Sequence, residues 1–242
     1  MNIRFLTLES KRVYRSTRFT IFTLIFPVVF FVVVAHQYKG ELHGVTGREY
    51  LMTAMAVFGG MGATINAGAR IAIERQIGWN RVLRLTPLTS RQYLRAKLVT
   101  ALVVALPSIL LVFGAGALFE GIHLSAAQWV HMVSNFLIAL IPFAVLGVAL
   151  GYVATGDSAQ AMSGAVLMLM SLFGGVWIPV ESMPRVLADF AQWLPPYWLG
   201  VAARAPISDQ QVGATGAAVL AAWAAALALF AASRYRRDAA RA

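Results

Sequence analysis

Glu74-Arg-Gln-Ile-Gly-Trp-Asn-Arg-Val-Leu-Arg-Leu-Thr-Pro-Leu-Thr-Ser-Arg-Gln-Tyr-Leu-Arg-Ala-Lys97 is the one long polar passage of the chain, and long apolar runs flank it on both sides. Its single acidic residue, Glu74, comes first, and six basic residues follow: Arg75, Arg81, Arg84, Arg91, Arg95 and Lys97. The flanks must sit in an apolar medium while the passage stays at its aqueous edge, like a handle for something else to grip.

The rest of the composition agrees. Of 242 residues, 59% are hydrophobic and 12% charged, where a soluble domain carries roughly 25% charged residues. This is the balance of an integral membrane protein. A net charge of +10 would suit nucleic acid if the basic residues formed a patch on a soluble surface. They cluster between apolar runs instead, in the positive-inside pattern, so nucleic acid is not an expected partner. With no cysteine in the chain, disulfides, thiolate metal sites and thiol catalysis are excluded, and the redox compartment cannot be read.

Crossing a hydrocarbon core takes about 20 apolar residues. Six runs approach that length, giving an all-α membrane fold with expected spans over 19–35, 50–72, 98–119, 129–153, 161–178 and 212–232. An even number puts both termini on one side. Sixteen of the 20 Lys and Arg fall on that side, before the first span, between Arg70 and Lys97, or after the last span. Only Lys39, Arg48, Arg185 and Arg204 lie opposite. The termini and the handle are therefore expected in the cytoplasm of a multi-pass protein of the cell inner or plasma membrane. The first span could pass for a signal peptide, but the long charged lead and Pro27 within the run fit a retained span better. In that lead Arg4, Lys11, Arg15 and Arg18 share one helical face and Ile3, Leu6, Val13 and Thr17 another, which predicts an amphipathic interfacial helix over 2–16. An ordinary charged flank without a fixed helix is the alternative.

Asn66, Arg70 and Glu74 recur every four residues on the face of the second span that approaches the handle. Such charges are costly in lipid and should point into protein or toward headgroups. Glu74 is expected to pair with Arg70 or with a basic residue of the N-terminal helix. Beyond it, helical spacing gathers Gln76, Trp79, Val82 and Leu83 on one side and Arg81 with Arg84 on the other, until Pro87 stops the helix. Thr89-Ser-Arg-Gln92 then reads as a capping box opening the next helix. A solvated loop of stop-transfer charges would explain the basic residues alone, but helix, break and cap in succession favour a shaped coupling loop over 73–97.

At the far end, Met183, Val186, Leu187, Phe190, Trp193 and Leu194 follow a helical rhythm with Arg185 and Asp189 opposite. Prolines and tryptophans border them, so 179–205 reads as an outer-face segment containing an amphipathic or re-entrant helix. Gly147 and Gly151 form a GxxxG, a motif too frequent in such helices to be decisive. Pro27, Pro107 and Pro142 are expected to bend their spans.

No carboxylate lies in the middle of a span, which weighs against an ion-driven carrier. His36, His43, His123 and His131 are scattered without ligand spacing, so no metal site is expected. The chain contains neither GxSxG nor HExxH, and it has no GxxxxGK[ST] phosphate loop. If energy drives movement through this protein, ATP must be hydrolysed by another chain.

Together, the lead helix, six spans, the coupling loop and the outer segment resemble the permease subunit of type-2 ATP-binding-cassette (ABC) transporters over essentially the whole chain. Glu74-Arg75, Gly78, Leu83, Thr86-Pro87-Leu88, Tyr93 and Ala96-Lys97 look like the family's coupling region. Gly174, Pro179, Met183-Pro184 and Pro195-Pro196 resemble its outer signature. Trp79 stands where small polar residues are more usual. The resemblance implies no cofactor in this chain, with ATP and Mg held by a separately encoded ABC ATPase, and a homo- or heterodimer of permeases. It also implies that Glu74, Arg75, Gly78, Trp79, Arg81, Leu83, Arg84 and Pro87 couple to that ATPase. Family members of this size mainly export drugs, antibiotics, lipids or glycans, with sodium extrusion also represented. Met52, Met55, Met61, Met168, Met170, Phe58 and Phe173 would suit an amphiphilic cargo, or simply face lipid and other helices. A membrane anchor or immunity subunit that recruits the ATPase without transport is the alternative function.

Overall fold

The computed structural model describes residues 20–38, 40–78 and 90–241. The expected helix over 2–16 lies outside these residues, as do Trp79, Arg81, Leu83, Arg84, Pro87 and Thr89 of the handle. In chain order the described elements are α1 (Ile21–Gln37), a hairpin of β1 (Glu41–Leu42) and β2 (Val45–Thr46), α2 (Gly47–Gln76), α3 (Ser90–Phe119), α4 (Ala126–Ala139), α5 (Ile141–Val153), α6 (Ala159–Phe173), α7 (Arg185–Ala191), α8 (Pro195–Arg204) and α9 (Gly213–Arg241). Among the described residues, four stretches are long and apolar enough to cross a membrane: Gly47–Gln76, Gln92–Phe119, Ala126–Val153 and Gly213–Tyr235. Ile21–Gln37 and Ala159–Phe173 are apolar but shorter. The fold is that of an all-α membrane protein with one small hairpin added.

The axis of the bundle is α2. Its apolar window is 94% buried, against 11% for α9, because its small residues let neighbours approach closely. Gly68 lies on the backbone of Gly147, and a Cβ built on Gly151 would stand 2.6 Å from the Gly68 carbonyl. The GxxxG of α5 is thus the contact face for α2, where only hydrogen side chains allow the two backbones to meet. Gly59 makes similar room for Ser108 of α3, whose hydroxyl donates to the Thr23 carbonyl of α1 at 2.7 Å.

Prolines set several boundaries. Pro142 has no N–H for the Ile138 carbonyl, and the expected fourth span turns at Leu140 into two helices, α4 and α5. Pro27 follows a π-helical turn, Ile21–Ile25, at the start of α1. Pro107 lies inside α3, which continues through it. The expected fifth span stops at Phe173, with Gly174 at its C-cap.

The outer-face segment departs most from expectation. One helix was expected through Leu194; the chain forms α7 and then α8, separated at Gln192–Leu194. Pro195 and Pro196 open the second helix rather than close the first. A proline in a first turn gives up an N–H that has no helical partner, while Leu194 before it is held extended. The large apolar residues of α7 remain at the surface, with Val186 79% and Phe190 49% exposed, as does Trp193 in the break that follows, at 72%. The hairpin was not expected. His43 and Gly44 take φ of 55° and 75°, and the Leu42↔Val45 pairing closes the two-residue turn that positive φ at both positions permits.

Candidate functional site

The handle end of the bundle is built where α2 stops. Glu74 lies in the last turn of α2, and its carboxylate accepts from Lys97 Nζ at 2.6 Å and from the Tyr93 hydroxyl at 2.8 Å. Both partners come from α3, on the far side of the handle. The Glu74 and Lys97 side chains are 8% and 4% exposed, so this is a buried, hydrogen-bonded pair rather than a surface contact. Such a pair constrains geometry more surely than it adds stability, because each charge has been taken from water.

The next residue faces the other way. The Arg75 guanidinium donates to the Gly151 and Tyr152 carbonyls at 3.2 and 3.1 Å, and lies 5.5 Å from the Tyr152 ring centre. These carbonyls belong to the last turn of α5, where no further helical N–H is available. A cation there also meets the negative end of the helix dipole. Consecutive residues of α2 therefore fasten it to both α3 and α5. Tyr235 of α9 packs edge-on against Tyr152, ring centres 5.9 Å apart.

Just beyond the helix, Gly78 has φ +73° and its N–H donates to the Arg75 carbonyl at 3.1 Å. A Cβ at Gly78 would meet nothing within 4 Å, so conformation rather than space requires the glycine. Of the expected coupling residues, the described ones converge on this helix end: Glu74, Arg75 and Gly78. Glu74 takes its partners from across the loop. Lys97 and Tyr93 stand in the quoted passage, yet spacing along one helix could not disclose a pairing through a 23-residue excursion. Asn66, on the same face of α2, accepts from the Gln160 amide of α6 at 3.0 Å.

At the opposite, hairpin end, His43 Nε2 meets Glu181 at 2.6 Å, tying the turn to the short helical turn Val180–Ser182. Gly174 abuts Pro196, while Pro184 is the N-cap of α7. Pro179 precedes the turn at Val180 and Met183 follows it. Trp198 and Trp223 donate from their indoles to the carbonyls of Gln192 and Trp193 at 2.7 and 2.9 Å. Arg204, at the end of α8, is buried over the Tyr50 ring, 4.4 Å from its centre. Burial pushes its guanidinium down from the ordinary value, against which Tyr50, Glu181 and Tyr197 push it back up. The sequence showed Arg204 only as one of four basic residues away from the main clusters. Met52, Met55 and Met61 are enclosed in the core, whereas Met168 is 56% exposed.

Comparison with known proteins agrees with this anatomy. Residues 4–207 match the ABC-2 type transporter family. The chain is 35% identical over 195 residues, 79% of each protein, to the "Putative transport permease YvfS" of Bacillus subtilis (strain 168). A bundle of apolar helices whose central member is pinned beside a basic loop, matched over most of its length by that family, belongs to the ABC-2 type transporter family.

Proposed function

We propose that this chain is the transmembrane permease subunit of an ATP-driven exporter, moving an amphiphilic drug, antibiotic or lipid-like molecule out of the cell with energy from a separately encoded ATPase. In this reading the chain has six spans, with α1 and α6 the shorter two, so both termini and the handle share one side; the Lys and Arg clustered there support the cytoplasm as that side, and two such permeases enclose the path.

The observation that carries the reading is the double fastening of α2. A push on residues 78–89 by the ATPase reaches a helix end whose Glu74 is locked to α3 and whose Arg75 is locked to α5. In this reading, motion of the loop moves α2, α3 and α5 together instead of bending a slack connection. ATP-driven closure of the ATPases must favour one arrangement of these helices over another, since only differential contacts shift such an equilibrium. In this scheme Arg81, Leu83 and Arg84 meet the ATPase, with Trp79 and Pro87 shaping the loop. Glu74 and Arg75 transmit from within the bundle, and Gly78 supplies the turn between the two parts.

The test is association. Replacing Arg81 and Arg84 together by Glu, or Gly78 by a bulky β-branched residue, is expected to reduce ATPase co-purification while insertion of the permease is unchanged. Normal co-purification and normal efflux in both variants would overturn the coupling assignment.

A further inference from the structure

The turn at Leu140 that divides α4 from α5 leaves a hollow beside it. A groove of about 550 Å³ runs between this corner, the end of α8 and α9, within the size of sites that take small molecules, roughly 300–1,000 Å³. Its α9 wall is one helical face, Ala217, Leu220, Ala221 and Ala224, where three alanines leave room that larger side chains would fill. Across it stand Ile138 and Ile141, large apolar residues 67% and 41% exposed. The apolar window of α9 is only 11% buried, so the groove opens onto the hydrocarbon.

The lining changes along its length. Asn135 is the first residue that α4 contributes, and Gln211 the first from the chain leading into α9. Both stand toward the hairpin end: α4 follows Glu120, whose carbonyl accepts from Arg48, and the Asp209 N–H donates to the His43 carbonyl. Inward from them the groove is apolar, and among the described residues none that line it is charged. From Gly213 to Ala224 is eleven residues, about 16 Å of helix, against about 15 Å for half of a hydrocarbon core. The groove is thus as long as one leaflet. The Gln211 amide donates to the Ala205 carbonyl at 3.3 Å, while the Asn135 side chain makes no hydrogen bond among the described residues. An amide left without a partner at the edge of hydrocarbon is costly and calls for an acceptor.

We propose that this groove seats one acyl chain of a glycerolipid from the leaflet at the hairpin end, the outer leaflet when both termini are cytoplasmic, with the ester carbonyl of that chain accepting from the Asn135 amide. An uncharged slot of leaflet length with an amide donor at its mouth matches an acyl chain hanging below an ester. A second copy of the chain is a poorer match, because a neighbouring helix would lie along the whole of α9, whereas the groove ends at Ala224 and α9 runs on to Arg241. The seat requires only that α9 face the bilayer, so it does not depend on export.

Lipid titration of the purified full chain in detergent micelles, read by native mass spectrometry, tests the seat without ATP or ATPase. The probes are dioleoyl phosphatidylcholine and its ether-linked analogue, which keeps the chains and headgroup but has no ester carbonyl. The wild type is expected to bind the ester lipid saturably and about three- to tenfold more tightly than the ether lipid, the range for loss of one hydrogen bond. Asn135→Leu should bind both lipids alike, at the weaker level. Ala221→Phe fills the groove and should weaken binding of the ester lipid about tenfold or more. Leu229→Phe, a like enlargement of a 74% exposed α9 residue outside the groove, should leave it unchanged. The ester–ether comparison in the wild type keeps the test decisive should Ala221→Phe fold poorly. Equal affinity of the wild type for the two lipids, or unchanged affinity in Ala221→Phe, would overturn the proposal. Loss of a dimer in Ala221→Phe with lipid still bound would also overturn it and assign the groove to a second copy.

Discussion

Lys97 and Arg204 are both buried cations at opposite ends of one bundle, 4% and 6% exposed, and they live under different rules. Lys97 is held by a carboxylate at 2.6 Å that also accepts from a tyrosine. Arg204 has a ring beneath it and a carboxylate nearby that is engaged elsewhere. A satisfied pair fixes the relation between α2 and α3. At the other end α8 is held to α2 by a cation stacked on a ring, with no carboxylate bond among the described residues to lock it.

Removing one member of the satisfied pair should have the largest effect. Lys97→Met leaves Glu74 buried and is expected to destabilise the chain by about 3–5 kcal/mol, whereas Lys97→Met with Glu74→Leu should regain most of that. Denaturant titration in micelles checks both; equal losses in the single and double variants would mean that the pair does not act as a unit. Arg75→Ala should cost about 1 kcal/mol by freeing the last carbonyls of α5. Hydrogen exchange is expected to rise selectively around residues 148–153, and exchange confined to other helices would break the link drawn between α2 and α5.

Arg204→Met sharpens the contrast, since no buried counter-charge is left behind. Its unfolding free energy should stay within about 1 kcal/mol of the wild type or exceed it, the lost cation–π contact being offset by relief of desolvation. A loss as large as that of Lys97→Met would show the two cations to be alike. His43→Ala should change stability least, by less than about 1 kcal/mol, because its contact with Glu181 is partly solvated. Its expected signature is faster proteolysis near residues 180–183, read by limited digestion.

Much of this division could be read in the chain before its fold. The apolar runs and the basic passage mark the helices and the handle, because a hydrocarbon environment forces long uninterrupted helices and confines charge to their ends. What eluded reading depends on contacts between distant segments. Glu74 was expected to meet Arg70 or the N-terminal helix, but the route to Lys97 passes through a loop whose closure no local period records. Gly147 and Gly151 were too ordinary a motif to single out until Gly68 stood against them. Pro195 and Pro196 were read as an ending, although the same residues serve equally as a beginning, and only the extended Leu194 decides between the two. Arg204 carried no local signal, since its meaning lies in the partner it lacks.

Export itself is tested most directly by transport in sealed vesicles carrying the wild-type permease, its ATPase and a fluorescent amphiphile. ATP-dependent accumulation on the side opposite the ATPase, lost when Arg81 and Arg84 are both replaced by Glu, is the expected result. Tight association and steady ATP hydrolysis with no movement of amphiphile would contradict the export reading and favour a membrane anchor.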